Sequence, residues 1–166
     1  HTILVDPQDR EHLIIATGGD GGREGRAPGR ALYSSYDGGE TWNPIGMEFE
    51  EEYSVPLVMH PADPAVMYSG IARGNPSLWA RPTGAESRVI KTKDGGLTWE
   101  SVLIGSGDLM VDFAACIAFD PENHDVLYVA SRYGTVFSSE DGGVNWSRLD
   151  VDMPPVDVWD MKVLKY

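Results

Sequence analysis

The chain has 166 residues, 42% of them apolar, and a formal net charge of −13. Its length is ordinarily that of one domain, and its composition is globular rather than disordered. No apolar run approaches the eighteen or so residues that a spanning helix needs, and the acidic balance would repel the phosphates of a nucleic acid.

In chain order, each third of the sequence opens with an apolar run that ends at a Pro corner, followed by a second apolar run. These are Ile3-Leu4-Val5-Asp6-Pro7 with Leu13 to Ala16, Pro56 to His60-Pro61 with Val66 to Ser69, and Cys116 to Asp120-Pro121 with Val126 to Val129. Short Val-, Ile- and Tyr-rich runs bounded by Pro and Gly read as strands, and Pro ends a strand because it has no N–H for a ladder.

A second motif follows each corner. Ser35-Tyr36-Asp37-Gly38-Gly39-Glu40-Thr41-Trp42, Thr92-Lys93-Asp94-Gly95-Gly96-Leu97-Thr98-Trp99 and Ser139-Glu140-Asp141-Gly142-Gly143-Val144-Asn145-Trp146 fit one template. Copies roughly 50 residues apart mark a repeat architecture. Asp-Gly-Gly is a hairpin signal, because glycine takes positive φ without steric cost and the carboxylate bonds nearby N–H groups. The Trp, five residues past the Asp, is placed to fold back and seal the turn.

These residues resemble the Asp-box, or bacterial neuraminidase repeat, of β-propellers with sialidase-like, sortilin-like or photosystem-assembly-factor-like repeats. The resemblance implies that Ser35, Asp37, Gly39, Trp42, Thr92, Asp94, Gly96, Trp99, Ser139, Asp141, Gly143 and Trp146 are structural and lie away from the functional face. The fold expected is all-β, a partial propeller of three four-stranded antiparallel blades (1–52, 53–110 and 111–153) plus one extra inner strand (154–166).

Three blades cannot close a ring of the usual four to eight. Two partners are therefore open: complementary blades from a missing N-terminal part of the same protein, or a second copy forming a six-bladed ring. The chain opens at His1 without a basic-then-apolar leader, which reads as a processed chain or a piece of a longer one. A soluble protein is expected, of bacterial cytoplasmic or secreted type.

The second and third strands are joined tightly in blade three, through Ser131-Arg132-Tyr133-Gly134, but by long loops in blades one and two. Long loops on a rigid scaffold are where binding usually resides. They hold Arg23, Arg26, Arg30, Arg73, Arg81 and Arg88, six of the 13 basic residues. Guanidinium forks suit carboxylates, phosphates and sulfates, and Trp79 offers a flat face to a sugar ring. Ligand-binding candidates are Arg73, Asn75, Trp79, Arg81, Arg88, Arg132 and Tyr133. The alternative for the arginines is pairing with Asp20, Glu24 or Glu86.

Glu50, Glu51, Glu52, Asp108, Asp112, Asp157 and Asp160 fall in the joins on the same rim, where a pair of carboxyls would serve a glycosidase. The arginine trio of true sialidases has no match here. Arg73 and Arg132 alone stand in corresponding places after a second strand. No cofactor and no metal site are expected, since the histidines lack ligand spacing and Cys116 lies alone in an apolar run. The function expected is a non-catalytic recognition scaffold binding a glycan, peptide or protein on the loop-rich rim. The alternative is a sialidase-like glycoside hydrolase completed by other blades.

Overall fold

The computed structural model describes residues 1–19, 29–102, 109–151, 153–154 and 157–165. Its strands are β1 (Ile3–Val5), β2 (Leu13–Ala16), β3 (Leu32–Ser35), β4 (Asn43–Ile45), β5 (Tyr53–His60), β6 (Asp63–Ala72), β7 (Arg88–Thr92), β8 (Glu100–Val102), β9 (Ala114–Phe119), β10 (Leu127–Ser131), β11 (Val136–Ser139) and β12 (Ser147–Arg148). They form three antiparallel sheets of four, each strand beside its neighbour in sequence. The fold is a partial β-propeller. Past the third sheet the chain continues as one additional segment, tied to it by a main-chain bond from Val158 N to Arg132 O (2.7 Å).

Each sheet buries a face against the next. Ile14 and Leu32 of the first sheet meet Met67, Ile71, Ile90 and Trp99 of the second. Tyr68, Val89 and Val102, on the second sheet's other face, meet Ile117, Leu127, Val129 and Phe137 of the third. The middle sheet is thus apolar on both sides, while the first and third sheets each turn one face outward. Pro56 is accommodated inside β5 because the β5–β6 register shifts between Ser54 and Leu57, as a residue without an N–H requires.

The Pro corners close by one device. Asp120 Oδ1 accepts the N–H groups of Glu122 (2.8 Å) and Asn123 (3.0 Å). His60 Nδ1 accepts those of Ala62 (3.2 Å) and Asp63 (3.1 Å). His60 stands in for the carboxylate by offering a ring lone pair, so its Nδ1 carries no proton in this arrangement.

The three Asp-Gly-Gly turns superimpose in their bonding. The hydroxyl of Ser35, Thr92 or Ser139 accepts the second glycine's N–H at 2.8–3.0 Å and donates to the Asp Oδ1 at 2.7–2.8 Å. That carboxylate in turn accepts the main-chain N–H and the side chain of Thr41, Thr98 or Asn145. The Trp indole donates to the second glycine's carbonyl at 3.0–3.1 Å. The residue before the Trp, a free position in the sequence template, therefore supplies a donor in every copy.

These bonds hold the carboxyls of Asp37, Asp94 and Asp141 down at about 2. For Asp37 and Asp94 the threonine hydroxyl contributes most, and for Asp141 the N–H of Asn145. A depressed carboxyl stabilises the fold above its unfolded value, 3.8, and loses that contribution as pH falls towards the folded value. The urea midpoint is expected to drop steadily between pH 4 and 2. In the Asp94→Asn chain the slope over that window should be smaller by up to one proton; a midpoint flat across it would refute this reading of the turns.

Candidate functional site

The Pro-corner and Asp-Gly-Gly turns lie together on one rim, joined by Gly38 N to Glu11 O (3.0 Å), Gly95 N to Ala65 O (2.9 Å) and Gly142 N to Asp125 O (2.8 Å). The β6–β7 and β10–β11 loops and the joins between sheets are left on the opposite rim. Arg73 and Arg132 lie directly after β6 and β10 there.

An aromatic cluster organises this rim. Tyr53 opens β5, Phe113 precedes β9, and Trp79 comes over from the β6–β7 loop. Ring centroids lie 4.8 Å apart for Trp79 and Phe113, and 5.2 Å and 5.6 Å from Tyr53 to Trp79 and Phe113. Trp79 follows a 3-10 turn, Pro76–Leu78, where Asn75 Oδ1 accepts the N–H of Ser77 (3.0 Å). Its indole N–H is shared by the carbonyls of Arg73 and Gly74, each at 3.3 Å. Asn75 and Trp79 thus shape the rim. Burial pushes the Tyr53 phenol up, against the pull of Arg132.

Beside the cluster, the Arg132 guanidinium stands 6.0 Å from the Trp79 ring centre, 5.5 Å from Tyr133 and 5.7 Å from Trp159. A hollow lined by Tyr53, Trp79, Phe113, Arg132 and Trp159 opens between them. The Asp157 carboxylate, 3.3 Å from Nη2, holds the guanidinium charged, while Nε is buried without a hydrogen-bond partner. Trp159 is 78% and Tyr133 65% exposed. Tyr53, Phe113 and Trp159 were not among the residues singled out from sequence. The available signal was an aromatic at the head of each of the inner strands β5 and β9.

The rim arginines are matched by carboxylates. Arg73 pairs with Glu50 at 2.9 Å and Glu86 at 3.7 Å, Arg81 with Glu86 at 3.4 Å, and Arg88 with the buried Glu51 at 2.7 Å. Arg30 donates to the carbonyl of Phe49 (3.1 Å). Of the pairings considered from sequence, the one with Glu86 is present; Asp20, Arg23, Glu24, Arg26 and Asp108 lie outside the described residues. Such charge matching leaves no open cationic cradle at Arg73, Arg81 and Arg88.

The rim carboxylates are committed too. Glu52 accepts the N–H of Gly74 (3.0 Å), and Asp112 those of Phe113 (2.7 Å) and Tyr133 (2.8 Å). Among the described residues no group of three or more His, Cys, Asp or Glu is placed to hold a metal ion, and no helix is long and apolar enough to cross a membrane. Burial raises the Cys116 thiol to about 11, away from the thiolate a nucleophile needs.

No protein-family model matches the chain, and no curated protein matches its sequence. Among solved structures it is similar to an ancestral GH74 enzyme, at 17% identity and a TM-score of 0.64 over 96% of this chain and 19% of that one. It is also similar to the Niastella koreensis GH74 enzyme (22% identity, TM-score 0.59, 88% and 22% of the two chains). A third likeness is to the GH74 xyloglucanase from Xanthomonas campestris (16%, 0.60, 89% and 21%). The chain thus spans about a fifth of these proteins' length, and identities this low speak to fold alone. What they share with it is the propeller scaffold.

Proposed function

We propose that the chain is a non-catalytic recognition scaffold that binds a neutral carbohydrate at the hollow beside Arg132. The observation that carries this reading is the pair of exposed aromatic faces, Trp159 and Tyr133, flanking a guanidinium already neutralised by Asp157. Flat rings with an apolar face and a polar edge suit a pyranose, which presents C–H groups on its faces and hydroxyls around its rim. An anionic ligand would have to displace the carboxylates that hold Arg73, Arg81 and Arg88. A hydrolase would need two acids free of such commitments, which argues for binding without turnover.

Titration calorimetry against a panel of neutral oligosaccharides, with aryl-glycoside turnover measured in parallel, tests this. Binding is expected for at least one saccharide, with affinity roughly ten-fold weaker in Trp159→Ala or Tyr133→Ala, as the loss of one stacking ring implies. Absence of binding across the panel overturns the reading. Turnover that disappears in Asp157→Asn or Asp112→Asn would establish the hydrolase alternative instead.

A further inference from the structure

The rim that carries the turns, opposite the aromatic hollow, has a groove of about 470 Å³ across the joint between the first and second sheets. Asp6, His12 and Tyr36 of the first sheet line one side, and Asp63, Asp94 and Gly95 of the second line the other. The Gln8 N–H holds the Asp6 carboxyl below its ordinary value, and the turn holds Asp94 at about 2. Asp63 gives one oxygen, Oδ1, to the N–H of Ala65 (3.1 Å).

His12 lies across this joint. An ionised carboxylate only accepts, so Asp6 Oδ2, 3.3 Å from His12 Nδ1, places the ring proton on Nδ1. Nε2 of the neutral ring is then a bare lone pair, buried without a hydrogen-bond partner. The residue is 8% exposed, and the Tyr36 ring stacks on it at 4.4 Å. Its Cε1, bonded to Nε2, lies 4.0 Å from where a Cβ on Gly95 would stand. The groove thus gathers acceptors from both sheets.

The second joint shows what meets such a set. There Lys91 Nζ and the Tyr68 hydroxyl stand 3.7 Å and 3.9 Å from the corresponding point on Gly142. Both donate to the Gly142 carbonyl at 2.7 Å, and the ammonium lies 5.2 Å from the Tyr68 ring centre. Counted from the turn hydroxyls, Ser34 and Ile14 hold the places of Lys91 and Tyr68 at the first joint. Ile14 has no side-chain donor, and Ser34 is too short to do what a lysine does.

We propose that this groove binds an organic cation bearing N–H donors, an alkylammonium or alkylguanidinium, in the role that Lys91 fills at the second joint. Its charge lies among Asp6, Asp63 and Asp94, and an N–H meets the His12 lone pair. Tyr36, 54% exposed, offers the face not stacked on His12 to the charge. The carbon stem runs along Leu97, which lines the groove and is 70% exposed. Three carboxylates repel an anion, and among the described residues no group of three or more His, Cys, Asp or Glu is placed to hold a metal ion.

Magnetic resonance of the full chain, isotopically labelled in its histidine rings, tests this. The cations to be added are agmatine and putrescine as free amines, and N-acetyl-arginine amide and N-acetyl-lysine amide as peptide side chains. Butanediol is the uncharged control. His12 is expected to show the Nδ1–H tautomer, and at least one cation should move its Nε2 resonance saturably. Asp63→Asn keeps the oxygen that holds Ala65 and removes the charge. Affinity should then fall roughly five-fold, the upper end for an ion pair open to water. Ser34→Lys gives the first joint its own ammonium and should abolish the response. Tighter binding of agmatine or putrescine assigns a free amine, and tighter binding of a blocked amino acid assigns a peptide side chain. No saturable shift with any cation, an equal response to butanediol, undiminished affinity in Asp63→Asn, or binding that persists in a folded Ser34→Lys chain each overturns the proposal. All are read on the rim opposite the carbohydrate hollow and are independent of what binds there.

Discussion

Gly70→Ala is expected to cost about 3 kcal/mol, the upper end of the cost of overpacking a core, and to lower the thermal midpoint by roughly 10 °C for a chain of this size. Gly70 lies in β6 on the face turned towards the third sheet. A Cβ there would stand 2.4 Å from the carbonyl oxygen of Ala114 and 2.9 Å from Pro56 Cγ. The nearest obstacle is main chain of the neighbouring inner strand, so no rotamer change relieves it. Replacing glycine by alanine in a strand ordinarily stabilises by about 0.4–1 kcal/mol through the unfolded chain, and that gain is too small to offset the clash. Urea unfolding measures the balance. A midpoint equal to or above that of the parent would show that the second and third sheets do not meet at this point.

Thr92→Val is expected to destabilise by a similar amount, while Thr92→Ser should cost about 1 kcal/mol for the lost methyl group. Thr92 is fully buried, and its hydroxyl serves two partners: it accepts from Gly96 N and donates to Asp94. Valine keeps the shape but leaves the buried Gly96 N–H without an acceptor, a loss of about 1–3 kcal/mol. It also frees the carboxylate that positions Thr98 and, through the turn, the buried Trp99. Ser35→Ala in the first sheet should cost less, because its Trp42 seals an outward-facing turn. Equal stability of Thr92→Val and the parent, or a larger loss in Ser35→Ala, would contradict this hierarchy.

The turns and the order of strands were legible in the sequence because their bonding is local. Every side-chain hydrogen bond of Ser35 and Asp37 in the first turn lies within four residues along the chain, so spacing alone carries the geometry. The rim was less legible for the opposite reason. Arg73 finds Glu50 and Arg88 finds Glu51 across the join between sheets, and nothing in a run of letters says which distant acid a guanidinium will meet. Trp79 looked like a free flat face, yet its N–H and one side of its ring are taken up by the loop and by Phe113. The aromatic hollow exists only once three inner strands converge at one end of the sheets.

The corner at His60 bears on how such repeats drift. What the backbone requires there is a lone pair within about 3 Å of one amide, as at Asp6 with Gln8 N, or of two, as at His60 and Asp120, and oxygen or imidazole nitrogen meets the requirement alike. A pattern written in amino-acid letters registers two corners in this chain and misses the third; one written in acceptor atoms registers all three. Chains of this kind can therefore wander far in spelling while the hinge points of every sheet stay chemically equivalent.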